Sequence, residues 1–77
     1  MVGRRMHETM GMRMRRARKK KNMTMDTLAG LTGLTRTSIS NYENDIHDPT
    51  IFNATCIADV LGVSLDWLAG RKEDMRI

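Results

Sequence analysis

The chain has 77 residues, 40% hydrophobic and 29% charged, which sets the scale of one small domain with a single core and little surplus stability. No apolar run approaches the roughly 18 residues of a membrane helix, and no apolar stretch follows the basic start as it would in a signal peptide. Cys56 is the only cysteine, which excludes an internal disulfide and a multi-cysteine zinc site and fits a reducing compartment.

Charge is unevenly placed. Residues 1–21 hold nine Lys and Arg against Glu8, a net of +8, whereas residues 22–77 hold four cations against eight anions, a net of −4. A basic segment of that density points first to nucleic acid, and second to an anionic membrane surface or a solvated helix face.

In chain order, residues 1–8 read as a basic arm, residues 9–70 as the folded domain and residues 71–77 as a tail. A first helix runs from about Thr9 to Lys20, with Met10, Met14 and Ala17 on one face and Arg13, Arg16 and Lys20 on another. Asn22 suits the left-handed residue just past its end. Thr24 caps a second helix with Asp26 in the first turn and Leu28, Ala29 and Leu31 as inward candidates; Gly33 ends it. Thr35 caps a third helix to about Asn44. A loop through Pro49 leads to a fourth, in which Ile51, Ala54, Ile57, Ala58 and Leu61 recur at helical spacing before Gly62. Ser64 caps a short fifth helix that Gly70 closes. The expectation is an all-α domain of five short helices.

Residues 25–43 carry the chemistry. Two short helices that cross through a tight turn need a small residue in the first, a glycine at the turn and a compact apolar residue in the second. Ala29, Gly33 and Ile39 supply these at spacings of four and six. On the third helix Thr37, Ser40, Asn41 and Asn44 line up at helical spacing as an uncharged polar stripe, opposite Ile39 and Tyr42. Short polar side chains are poor helix formers, so stability does not explain them, but they offer donors and acceptors to base edges and phosphates. Arg36 is the only cation between Lys21 and Arg71, and arginine is shaped for a bidentate contact to guanine.

The stretches MRRARKKKNMT, TLAGLTGLTRTSISNYEN and DPTIFNATCIADVLGVSLDWLAG, in that order, resemble the phage-repressor/Cro-like (XRE-type) helix-turn-helix family of transcriptional regulators. The resemblance covers roughly residues 10–70. It implies a compact lambda-repressor-like five-helix domain whose third helix lies in the major groove of DNA. It further implies base contacts by Thr35, Arg36, Thr37, Ser40 and Asn41, and phosphate contacts by Met25 (through its amide), Ser38 and Asn44. Lys20 and Lys21 either reach phosphates or complement the negative end of the first helix's dipole. Glu43 matches a family acid that pairs with an arginine of the first helix, here Arg18.

Four positions depart from the family pattern. Met25 replaces a common glutamine, Thr32 a usual apolar residue, Phe52 a usual polar one beside the small Ala54, and Asp45 a common glycine. Phe52 either folds back over Ala54 or projects as a partner contact.

The expected activity is operator binding as a homodimer, with Phe52, Trp67 and Leu68 as dimerisation candidates, by a cytoplasmic, bacterial or phage-encoded, nucleoid-associated regulator without cofactor or metal. An adaptor or antitoxin on the same fold is the alternative. Membrane binding would need an apolar face that Met10, Met14 and Ala17 give to the core. No paired catalytic carboxylates, nucleophile with a base, or phosphate-binding glycine loop suggests an enzyme. Tyr42, Phe52 and Trp67 are too few for a base-stacking RNA platform. His7 and His47 have no helical partner at metal spacing, Cys56 reads as a small hydrophobe or partly exposed thiol, and Met10, Met14 and Met23 as core fillers.

Overall fold

Hydroxyl side chains set where the helices start. The computed structural model describes residues 8–77, which form α1 (Met10–Lys20), α2 (Met25–Thr32), α3 (Arg36–Glu43), α4 (Ile51–Leu61) and α5 (Leu65–Leu68), with no strand among the described residues. The arm expected over 1–8 thus lies, apart from Glu8, outside them, as does His7. Thr9, Thr24, Thr35, Thr50 and Ser64 each accept a bond from the amide three residues on, of Met12, Thr27, Ser38, Asn53 and Trp67. Each such cap satisfies an amide with no partner inside its helix and contributes about 1 kcal/mol. Gly33 and Gly62 end α2 and α4 at φ 75° and 69°. Asn22 and Asp45 adopt the same left-handed region at φ 55° and 59°, which their short polar side chains tolerate.

Met14 and Ala17 of α1, Leu28 and Ala29 of α2, Ile39 of α3, Ile57, Ala58 and Leu61 of α4, and Trp67 and Leu68 of α5 form one core. Among the described residues no helix is long and apolar enough to cross a membrane.

Several side chains differ from expectation. Leu31 is exposed, because Leu28 and Ala29 define the inward arc of α2 and Leu31 falls outside it. The half-buried Thr32 falls inside that arc, and its hydroxyl donates to the Leu28 carbonyl at 2.8 Å, so it brings no unpaired group to the core. Ile51 projects into solvent from the first turn of α4. Phe52, 74% exposed, does not fold back over Ala54.

The C-terminal third needs the largest correction. Trp67 is 1% exposed and Leu68 fully buried, so neither offers a surface to a second copy. Trp67 is covered from α1. The guanidinium carbons of Arg13 and Arg16 lie 5.1 and 5.4 Å from the Trp67 ring centroid. Arg13, expected on an exposed basic face, is itself buried and donates to the carbonyls of Trp67 at 2.6 Å and Lys72 at 3.0 Å. Residues 71–77 also turn back onto the core, where Met75 packs and its carbonyl accepts from the Ser64 amide at 2.8 Å.

Close approach of α1 to the end of α3 depends on Gly11. A Cβ there would strike the carbonyl oxygens of Tyr42 and Glu43 and sit 2.8 Å from an Asp45 carboxylate oxygen. The Gly11 amide instead donates to Asp45 at 3.1 Å, and the Thr9 hydroxyl to the same carboxylate at 2.6 Å. Gly11→Ala, otherwise favourable within a helix, is therefore expected to destabilise the domain by about 1–3 kcal/mol through overpacking. At about 4–8 °C per kcal/mol for this size, a thermal melt unchanged or raised by Gly11→Ala would contradict the close approach.

Candidate nucleic-acid interface

The crossing of α2 and α3 is built as its spacing requires. Ala29 and Ile39 are buried against each other's helices, and Gly33 makes the turn in left-handed conformation. The Leu34 amide returns to the Ala29 carbonyl at 3.0 Å, and Thr35 then starts α3.

Glu43, the last residue of α3, fixes the position of that helix. It is 2% exposed and takes a bidentate bond from Arg18, Nε to Oε2 at 2.7 Å and Nη2 to Oε1 at 2.9 Å. Arg18 also donates to the Met23 carbonyl at 2.8 Å. The expected pair is thus formed, and it is buried. Its hydrogen bonds hold the Arg18 guanidinium above its ordinary pKa, against the opposing effect of burial. A pKa raised by folding contributes stability that is full below the unfolded value, so Arg18's share is constant across neutral pH.

The expected base-reading residues stand together. Thr35, Arg36 and Thr37 are exposed in the first turn of α3, and Ser40 and Asn41 are half-buried further along. The Thr35 hydroxyl is engaged in capping, accepting from the Ser38 amide and donating to the Ser38 hydroxyl, both at 3.0 Å. Arg36 Nε lies 3.3 Å from Asp26 in the first turn of α2, both side chains exposed. Met25 is half-buried, and as the first residue of α2 its amide precedes the intrahelical bonds.

The lysines that close α1 lie away from α3. Lys21 runs along Gly62, its Cε 3.5 Å from where a Cβ would stand, and Lys20 Nζ rests 3.8 Å from the Met75 sulfur. Lys20 lies about 200° around α1 from Arg18, so the structure does not bring it to α3. Asn44 is exposed but locked. Its Nδ2 donates to the Ser40 carbonyl at 2.9 Å while its Oδ1 accepts from Arg15 Nη2 at 2.9 Å. Arg15, which the sequence did not single out, also contacts Glu43 at 3.4 Å and is 41% exposed. Its position three residues before Arg18, on the same face of α1, was the available signal.

The family model described as helix-turn-helix matches residues 14–68. The chain belongs to that family, the phage-repressor/Cro-like (XRE-type) transcriptional regulators, whose members are DNA-binding proteins and not enzymes. The HTH-type transcriptional regulator ImmR of Bacillus subtilis (strain 168) is 31% identical over 65 residues, which are 84% of this chain and 51% of that protein. The chain therefore spans about half the length of this curated relative. The P22 c2 repressor in complex with a synthetic operator has a TM-score of 0.82 at 27% identity, over 86% of this chain and 100% of that one. SinR of Bacillus subtilis, in complex with DNA, has a TM-score of 0.74 at 28% identity, over 78% of this chain and 97% of that one.

Removing Glu43 strands a buried arginine, and breaking such a pair costs about 3–5 kcal/mol of the roughly 5–15 that a domain holds. Glu43→Ala should lower the melting temperature by more than about 10 °C. A shift of only a degree or two would show that the pair does not hold the two helices together.

Proposed function

We propose that the chain is a sequence-specific repressor of transcription that occupies an operator in double-stranded DNA, with α3 in the major groove. The observation that carries this is the exposed, nearly uncharged polar face of α3, presented by a helix whose far end is fixed through a buried ion pair. A face of that kind has little to offer lipid, and its donors and acceptors match base edges. Arg36 is the candidate for a guanine, and Thr37 and Asn41 for neighbouring bases. Thr35 offers its methyl group, the counterpart of a thymine methyl.

Phosphates on the flanking backbone are met by the Met25 amide and by Arg15, whose guanidinium holds the position beside Asn44 at the end of α3. Ser38 and Asn44 then support the helix more than they touch DNA. The protein acts as a symmetric dimer whose recognition helices enter half-sites about 34 Å apart, and the exposed Phe52 is the residue left for the dimer contact.

Selection of bound duplexes from a random library, followed by anisotropy titrations across salt, tests this reading. The parent should select one site with two-fold symmetry; an adaptor protein would select none. Arg36→Ala should cost roughly 1–3 kcal/mol on the selected site and much less on random duplex. Arg15→Ala should weaken both alike and reduce the log-affinity against log-salt slope by about 0.9, the value of one phosphate contact. If Arg15→Ala leaves that slope unchanged, Arg15 is structural only.

The dimer is checked separately. Phe52→Glu places a charge on the proposed contact without disturbing the core, so the melting temperature should stay within about 2 °C of the parent. Sedimentation with the selected duplex should then show one bound copy where the parent shows two. Two copies on the duplex with Phe52→Glu would remove Phe52 from the interface.

A further inference from the structure

We propose that Asp26 is a positioning residue that aims the Arg36 guanidinium at a guanine, an inference that rests on the DNA-binding reading above. The contact joins the first turns of two different helices. Asp26 Oδ1 lies 3.3 Å from Arg36 Nε, and the side chains are 77% and 66% exposed, so the pair faces solvent and is open to a duplex. The nitrogen engaged matters. The contact is an ion pair and not a hydrogen bond: Nε, on the inner edge of the guanidinium, lies nearest the carboxylate. Among the described residues Arg36 donates no hydrogen bond, so its two terminal amino groups are unbonded. Those two groups form the fork that fits the O6 and N7 acceptors of guanine. A carboxylate on Nε therefore restrains the long side chain and leaves its recognition edge unoccupied, lowering the conformational freedom lost when the base is bound.

Asp26 has a second effect with an opposite sign for affinity. It is an anion on the face that meets DNA, and Arg36 is the only cation between residues 22 and 70. The α2–α3 surface thus carries almost no net charge, because Glu43 is neutralised by Arg18. Removing Asp26 makes that surface more attractive to any phosphate backbone while it releases Arg36 from its aim. Positioning therefore predicts that affinity for random duplex is kept or raised while discrimination falls. A carboxylate that served only the α2 dipole, or only repelled phosphates, would change all duplexes by one common factor.

The test uses the full chain, the tightest duplex recovered by selection, and a copy carrying adenine in place of the guanine whose preference depends on Arg36. In D26A the ratio of the two affinities should fall by about two- to fivefold, the scale of a surface ion pair, with D26N intermediate because it keeps one acceptor. In an R36A background D26A should leave the ratio untouched. Equal changes on both duplexes, or a D26A effect that persists without Arg36, would overturn the positioning role. A parent that discriminates, with the ratio intact in D26A, sinks the Asp26 inference alone; a parent that selects no duplex sinks the DNA-binding reading itself. Both variants alter an exposed side chain, and matching melting curves confirm that the ratio is read on folded protein.

Discussion

A buried carboxylate at the last position of a short helix is the constraint on which the rest of this domain depends. An unpaired Glu43 at that depth would be prohibitively costly, so α3 can end only where α1 supplies a guanidinium. Arg18 supplies it with two hydrogen bonds, and a bidentate contact sets direction as well as distance. A second clamp lies two residues further along the chain, where Asp45 accepts from Thr9 and Gly11 at the other end of α1. Glu43 and Asp45 thus fasten to points seven residues apart on one helix, about 10 Å along its axis. Two anchors of the same polarity, a guanidinium at one and the positive end of a helix dipole at the other, each hold a carboxylate and together determine how α3 lies across α1.

How much of this was legible in the sequence differs by the range of each interaction. Helix caps are local, and Thr24, Thr35 and Ser64 were read from a hydroxyl ahead of an apolar pattern, while Thr9 and Thr50 marked helix starts without being named as caps. Ala29, Gly33 and Ile39 were readable because a fixed spacing encodes a crossing. The Arg18–Glu43 pair was readable through the family pattern that spans it. Gly11 was not, since what forbids a side chain there is a pair of carbonyls about thirty residues away. Trp67 was misjudged for a similar reason. A helix of four residues has no period from which to read an inward face, and the guanidinium groups that cover the Trp67 ring come from α1, about fifty residues earlier in the chain. Leu31 and Thr32 show the limit of hydrophobicity as a guide, because position on α2 decided burial and backbone carbonyls satisfied the hydroxyl.

The basic run shows how net charge misleads when it is read as surface. Arg13 and Arg16 surround the indole of Trp67, while Arg15 and Arg18 converge on Glu43. Much of the positive charge that pointed to a polyanion therefore holds the domain together. Arginine suits this work, since its planar group stacks on an aromatic face and bonds a carboxylate through two nitrogens at once. Among the described residues the lysines of the same run make no such contacts, and Lys21 lies instead along the end of α4 and Lys20 along the tail.

This division leaves the α2–α3 surface close to neutral, which bears on how a small domain can be selective. Charge attracts every phosphate backbone equally and carries no sequence information, whereas hydrogen bonds to base edges discriminate. The two ends of α3 are also unlike. Its last turn is fixed by the burial of Glu43 and the locked amide of Asn44, while its first turn rests on the Thr35 cap and the contact to α2. Rotation about the fixed end moves the first turn most, and that is where Arg36 and Thr37 stand. In the proposed reading, the accuracy with which those side chains would meet base edges depends on the small group of contacts joining the starts of α2 and α3. The buried pair sets where the helix lies, and on the proposed function the exposed first turns would set how finely it reads.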